Sequence, residues 1–169
     1  MDILIVDGYN IIGSWPELQK AKERDLEEAR DILINKMAEY QAHTGYRVII
    51  VFDAYYVQGI EKKMKQSRVE VIFTKKNQTA DERIEQLAIS LRKVNTHIHV
   101  ATSDYTEQWA IFGQGALRKS ARELLIEMEV MEKSITKHVK KTNEEKLPNR
   151  QVFSDKVTEM FEKMRRGKQ

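Results

Sequence analysis

Asp7, Asp53 and Asp104 each fall at or just past the end of an apolar run, and Asp81 with Glu82 opens a helical pattern. Asp7 follows Ile3-Leu4-Ile5-Val6 directly, and Asp53 follows Val48-Ile49-Ile50-Val51-Phe52 directly. Asp104 ends the segment Thr102-Ser103-Asp104 behind the run that holds Ile98 and Val100. Carboxylates gathered within a few ångströms repel and raise one another's pKa, so such a group normally persists because a cation neutralises it. Oxygen donors without a cysteine or a well-placed histidine favour a hard ion, Mg²⁺ or Mn²⁺. Any one of these aspartates could instead be a helix N-cap or an Asx-turn, but all of them acting as independent caps is the less coherent reading. Asn10 can hold a carboxylate or a metal-bound water, or can serve only the turn Gly8-Tyr9-Asn10. Ser103 can orient Asp104 or cap the helix that follows.

These acids need a scaffold, and the apolar patterns supply one. The runs at 3–6 and 48–52 read as buried strands, because they are continuous and rich in β-branched residues, and Val69-Glu70-Val71-Ile72-Phe73 and the stretch around Ile98 and Val100 read as a third and a fourth strand. Between the first two, Leu26, Ala29, Ile32, Leu33, Met37 and Tyr40 predict one long amphipathic helix from about Ala21 to His43, stopped by Gly45. Two such strands joined by a helix make a βαβ crossover and hence a parallel sheet. Residues 54–68 read as an irregular basic segment. Thr79 and Glu82 match a capping box at the start of a helix that continues through Ile84, Leu87, Ala88 and Leu91. Tyr105 to Phe112 reads as a short helix, Gly113-Gln114-Gly115 as a turn, and Ser120 as the cap of another long helix.

The expected architecture is α/β and doubly wound, with a central parallel sheet of about four strands. Residues 1–141 form the domain, and residues 142–169, with Pro148, a linker and a basic C-terminal helix. In an open parallel sheet ligands bind beyond the carboxyl ends of the strands, which is where the acids fall.

A chain of 169 residues without cysteine excludes a disulfide framework, a thiolate zinc site and a thiol nucleophile. No apolar run approaches the ~20 residues that span a bilayer, so a cytoplasmic protein without a membrane partner is expected. The net charge of +3 conceals an asymmetry, since residues 130–169 hold 11 Lys and Arg against 6 Asp and Glu. Within the body, Lys62, Lys63, Lys65, Arg68, Lys75 and Lys76 form a second basic stretch. Clustered cations of this kind suit a polyanion. A carboxylate-held metal beside such a surface points to phosphodiester hydrolysis, with water as the simplest attacking group.

The four motifs Asp7-Gly8-Tyr9-Asn10, Phe52-Asp53-Ala54, Thr79-Ala80-Asp81-Glu82 and Thr102-Ser103-Asp104, taken in order, resemble the NYN branch of the PIN-like nucleases. Within it the chain is similar over nearly its whole length to the bacterial YacP type, a family of ribosome-associated endoribonucleases. The resemblance implies a three-layer PIN-like fold with a C-terminal helical extension. It implies Asp7, Asp81, Glu82 and Asp104 as the acidic metal cluster, Asn10 as its polar companion and Asp53 as an outer member. It also implies single-stranded RNA, specifically mRNA, as substrate, Mg²⁺ or Mn²⁺ as cofactor and the ribosome as partner. Glu82 reaches further than an aspartate would at the same position.

Other signals are weaker. Gly113-Gln114-Gly115 follows a helix and lacks the third glycine of a dinucleotide fingerprint. Tyr9 stands where an aspartyl-phosphate phosphatase needs its second aspartate. His97 and His99 lack a third soft ligand nearby and read as ordinary strand residues. Tyr55 and Tyr56, at the start of the basic segment, are placed to stack on bases beside Lys62, Lys63, Lys65 and Arg68, whereas Trp15 and Trp109 fit a core equally well. The sequence thus supports a metal-dependent endoribonuclease, monomeric or weakly oligomeric. The competing class is a non-catalytic RNA-binding or ribosome-binding module of the same fold.

Overall fold

The computed structural model describes residues 1–54, 68–104, 112 and 115–137, together with the backbone of 62–66. The chain divides into two compact units, Met1–Glu129 and Val130–Gln169. In the second, residues 130–137 are helical.

The first unit is built on strands β1 (Asp2–Asp7), β2 (Arg47–Phe52), β3 (Lys62–Gln66), β4 (Val69–Phe73), β5 (His97–Ala101) and β6 (Leu117–Lys119). Its helices are α1 (Gly8–Ser14), α2 (Pro16–Arg24), α3 (Leu26–Thr44) and α4 (Ala80–Ser90), followed by α5 from residue 121. The strand order is β3-β4-β2-β1-β5-β6. Among the described residues five strands run parallel, one more than expected from the sequence, because the short β6 pairs with β5. The sixth, β3, lies antiparallel against β4 in the segment expected to be irregular.

β1 occupies the middle of the sheet, where both faces are covered, and its uninterrupted apolar run meets that demand. Alternation along the strand sends Ile3, Ile5 and then Asp7 to one face, and Leu4 and Val6 to the other. On the first face α4 packs Ala80, Ile84, Leu87 and Ala88 against Ile3, Ile5, Ile49, Val51, Ile72 and Val100. The group of α1, α2 and α3 covers the second, so the sheet is the middle of three layers. Among the described residues no helix is long and apolar enough to cross a membrane.

Where a turn was expected after Asp7, α1 starts at once. Its Ile11 and Ile12 are buried, and Gly8 permits the abrupt start, since a Cβ there would lie 2.3 Å from the Phe52 ring. The long helix expected from Ala21 is broken at Asp25, whose side chain accepts from the Glu27 N–H and so caps α3 anew. Gly45 ends α3 as expected, at φ 77°.

The topology decides where a ligand can sit. From β1 the chain moves to β2 and β4 on one side, then returns through α4 to β5 on the other side of β1. The order therefore reverses between β1 and β5, and the crevice lies beyond their carboxyl ends.

Candidate active site

Asp7 is the last residue of β1 and is only 8% exposed. The β1–β5 register pairs Val6 with Ala101, which brings Thr102, one residue on, beside Asp7. Thr102 is fully buried. Its Oγ1 donates to Asp7 Oδ2 at 3.2 Å and accepts from the Asp104 N–H at 3.0 Å. A hydroxyl has one proton, so accepting from Asp104 turns that proton toward Asp7.

Burial and the neighbouring Asp81 charge push the Asp7 carboxyl up to about 7; the Thr102 hydrogen bond opposes this, and Asp104 adds to it. Asp81, in the first turn of α4, is raised in the same direction by burial, then by Asp104, Glu85, Asp53 and Glu82. Acids from β1, the β5 end and α4 therefore act on one another across the switch point. Among the described residues no three histidine or acidic side chains are drawn to metal-ligating spacing. The donors nevertheless suit a hard cation: Mg²⁺ takes one or two carboxylates and completes its shell with water and phosphate oxygens.

The remaining polar residues divide by partner. Asn10 Oδ1 accepts from the Ser103 N–H at 2.6 Å, and Ser103 Oγ accepts from the Ala121 N–H at 3.2 Å. Asn10 thus ties α1 to the β5 loop, and Ser103 adds an acceptor at the start of α5, whose expected cap Ser120 accepts from the Glu123 N–H at 3.0 Å; the helix expected directly after Ser103 lies outside the described residues. The Asn10 backbone amide also favours the charged form of Asp7, without closing a cap hydrogen bond to it. Asp53 Oδ2 accepts from the Ala80 N–H at 3.4 Å, at the positive end of α4. Glu82 is exposed, and its N–H is bound by Thr79 Oγ1 at 3.2 Å, the cap that the sequence announced.

Lys62, Lys63 and Lys65 are placed by their backbone on β3. Arg68 is exposed at φ 70°, and its carbonyl accepts from Gln41 Nε2. Tyr55, Tyr56, the stretch 105–111 and the expected C-terminal helix lie outside the described residues. Trp15 is core, its indole donating to the Ala121 carbonyl. His97 and His99 flank the Asp2 carboxylate at the opposite ends of the strands, 3.5 and 3.2 Å away. A concavity lined by Ala88, Ile89, Arg92 and Thr96 also opens at the far end of α4.

Sequence reasoning missed two residues. Thr102 stands inside a motif it quoted, but the role of Thr102 is set by the strand beside it. Arg30 had no signal: it is one charged residue on a helix, yet its Nη1 donates to the Tyr9 hydroxyl at 3.1 Å.

The family model described as the YacP-like NYN domain matches residues 4–166. The chain is 64% identical over 167 residues to the uncharacterized protein YacP of Bacillus subtilis (strain 168), covering 99% of this chain and 98% of that protein. The crystal structure of Rae1 (YacP) from Bacillus subtilis is similar at a TM-score of 0.77 and 63% identity, covering 99% of this chain and 96% of that one. A single-substitution variant of it is similar at 0.75 and 64% identity, covering 85% and 84%. The fold is thus of nuclease type, and on a match spanning nearly its whole length the chain belongs to the YacP-like NYN domain family.

Proposed function

We propose that this protein is a divalent-metal-dependent endoribonuclease that cleaves single-stranded RNA, acting on mRNA at the ribosome. The observation that supports this reading best is Asp7, a buried carboxyl at the switch point whose pKa is raised to about 7, in part by the charges of Asp81 and Asp104. That arrangement costs stability when the acids are ionised, and a cation relieves the cost. RNA as substrate is supported by the nuclease-type fold and by the lysine-rich β3, which starts at the same carboxyl edge of the sheet with Lys62 beside Phe73. The ribosome and mRNA rest on the family resemblance.

Asp7, Asp81 and Asp104 would hold Mg²⁺ or Mn²⁺, with Glu82 placed to engage a water. When bound, the ion supplies Lewis-acid polarisation of the phosphodiester and activation of water. The chain's own groups do the positioning. Thr102 fixes the Asp7 carboxylate, the Asn10–Ser103 hydrogen bond fixes the loop bearing Asp104, and the Thr79 cap fixes the turn bearing Asp81. Lys62, Lys63, Lys65 and Arg68 would hold phosphates, and Tyr55 and Tyr56 would stack on bases.

The test compares the wild-type chain with an Asp7→Asn, Asp81→Asn double variant, each incubated with single-stranded RNA and Mn²⁺, alone and with translating ribosomes. Cleavage by the wild type only is expected. Equal cleavage by both would sink the site, and no cleavage by the wild type in either setting would leave a binding module.

A further inference from the structure

Arg30 lies on α3 above the carboxyl ends of β2 and β4. Besides its hydrogen bond to Tyr9, its guanidinium stands 5.9 Å from the centre of the Phe73 ring. The rings continue beneath it: Phe73 stacks on Phe52 at 5.4 Å, and Phe52 meets Tyr9 at 5.0 Å. Phe52 and Phe73 are the last residues of their strands, and Tyr9 is two residues beyond Asp7. Arg30 therefore sits at the same edge of the sheet as the acids, on the α3 face, while Ile5 and Asp7 share the α4 face.

The partners of Arg30 set it apart. Among the described residues Arg24, Lys36, Arg47 and Lys119 are paired with Glu28, Glu17, Glu70 and Glu127. Arg30 meets a phenol and a benzene ring, both neutral. A guanidinium has five N–H donors in a fixed fork, matched to carboxylate or phosphate, and one of them is used by Tyr9. The aromatic contact steadies a half-buried cation without neutralising it. The group is thus held, charged and short of an anion. On the adjacent strand the register sets Lys62 beside Phe73, so β3 begins with a basic residue next to the ring that Arg30 covers.

We propose that Arg30, held by Tyr9 and Phe73, is a seat for a backbone phosphate of the RNA, one that flanks the phosphate being cut. The proposal rests on the endoribonuclease reading. A single strand crossing the sheet edge from the acids meets Arg30 first and Lys62, at the start of β3, after it.

The experiment measures binding of an end-labelled single-stranded oligoribonucleotide by fluorescence anisotropy, in EDTA, across a salt series, using the full chain. Arg30→Met keeps an unbranched apolar stem on Phe73 and removes the charge. It should weaken binding about tenfold at low salt and lower the slope of log K against log salt by about 0.7, with the thermal midpoint unchanged. Arg30→Lys should restore the slope but only part of the affinity, since it has charge without the fork. Tyr9→Phe should cost about threefold with the slope intact, because the charge stays and only its anchor goes. Wild-type affinity in Arg30→Met, or a loss with an unchanged slope, overturns the proposal. Cleavage with Mn²⁺ is scored in parallel. A wild type that cleaves while Arg30→Met binds normally removes the phosphate seat alone. A wild type that does not cleave, with the slope still reduced in Arg30→Met, removes the catalytic reading and keeps the seat.

Discussion

Thr102 Oγ1 donates to Asp7 Oδ2 across the seam between β5 and β1, and the two residues are 95 apart in sequence. The hydroxyl is the nearest correction to a carboxyl that burial and two like charges drive toward neutrality. Replacing Thr102 by Val keeps the shape, removes that correction and leaves the Asp104 N–H without its acceptor. A stability loss of about 1–3 kcal/mol is expected, together with a higher Mn²⁺ requirement for cleavage. Thr102→Ser should recover both. Thermal unfolding and a Mn²⁺ titration of the cleavage rate check this, and wild-type behaviour of the valine variant in both would refute it.

Asp7 makes the protein less stable as pH rises. Its folded pKa of about 7 lies above the ordinary 3.8, so between these values the folded state binds the proton more tightly. The stabilisation is fully present below 3.8 and is lost as pH rises through about 7. Asp7→Asn has no such dependence. It should match the wild type in acid and exceed it above neutral pH by on the order of a few kcal/mol, at about 1.4 kcal/mol per pH unit. Urea unfolding of both proteins at several pH values tests this, and parallel profiles would contradict the burial of a charged Asp7.

A divalent ion should reverse the same penalty. At ten times its dissociation constant a single ion stabilises by about 1.4 kcal/mol, which in a chain of this size raises the melting temperature by roughly 3–6 °C. Mn²⁺ should produce that rise in the wild type, EDTA should abolish it, and the Asp7→Asn, Asp81→Asn variant should show none. A full rise in the double variant would place the ion elsewhere.

Gly8 is the point where α1 leaves the strand against the Phe52 ring. A Cβ at 2.3 Å must displace that ring, and with it the stack on Phe73. Gly8→Ala should destabilise by about 1–3 kcal/mol, and Phe52→Leu added to it should recover part of the loss. A double-mutant cycle by chemical denaturation measures the coupling, and additive losses would show that the clash is not with Phe52.

What the sequence made legible depended on whether a residue's role is local. β1 and β2 carry continuous apolar runs, which burial on both faces demands, so they could be read directly, while β4 and β5 are interrupted by Glu70 and His99 and were read from the apolar residues around them. β3 reads Lys-Lys-Met-Lys-Gln, which has no apolar alternation; it pairs through backbone at an edge, where lysines also discourage pairing with another chain. β6 has three residues and no pattern. Of the site, the acids could be found because each sits at the end of an element, Asp7, Asp53 and Asp104 behind strands and Asp81 with Glu82 at the start of α4. Asn10 and Ser103 were named with their roles open, since their partners, Ser103 and Ala121, come from other segments of the chain. Thr102 and Arg30 depend wholly on a neighbour: one on the β1–β5 register, the other on a tyrosine in α1.

The strand order has a consequence for the timing of synthesis. β1 emerges first, but the strand that completes the crevice is β5, and Asp104 lies beyond it. A nascent chain that has left the ribosome only as far as α4 holds Asp7 and Asp81 without their third member, and lacks the threonine that steadies Asp7. The assembled acid group comes into being only with the long-range closure of β5 onto β1, a late event for so distant a pairing. On the endoribonuclease reading, the metal site is incomplete until the sheet is closed.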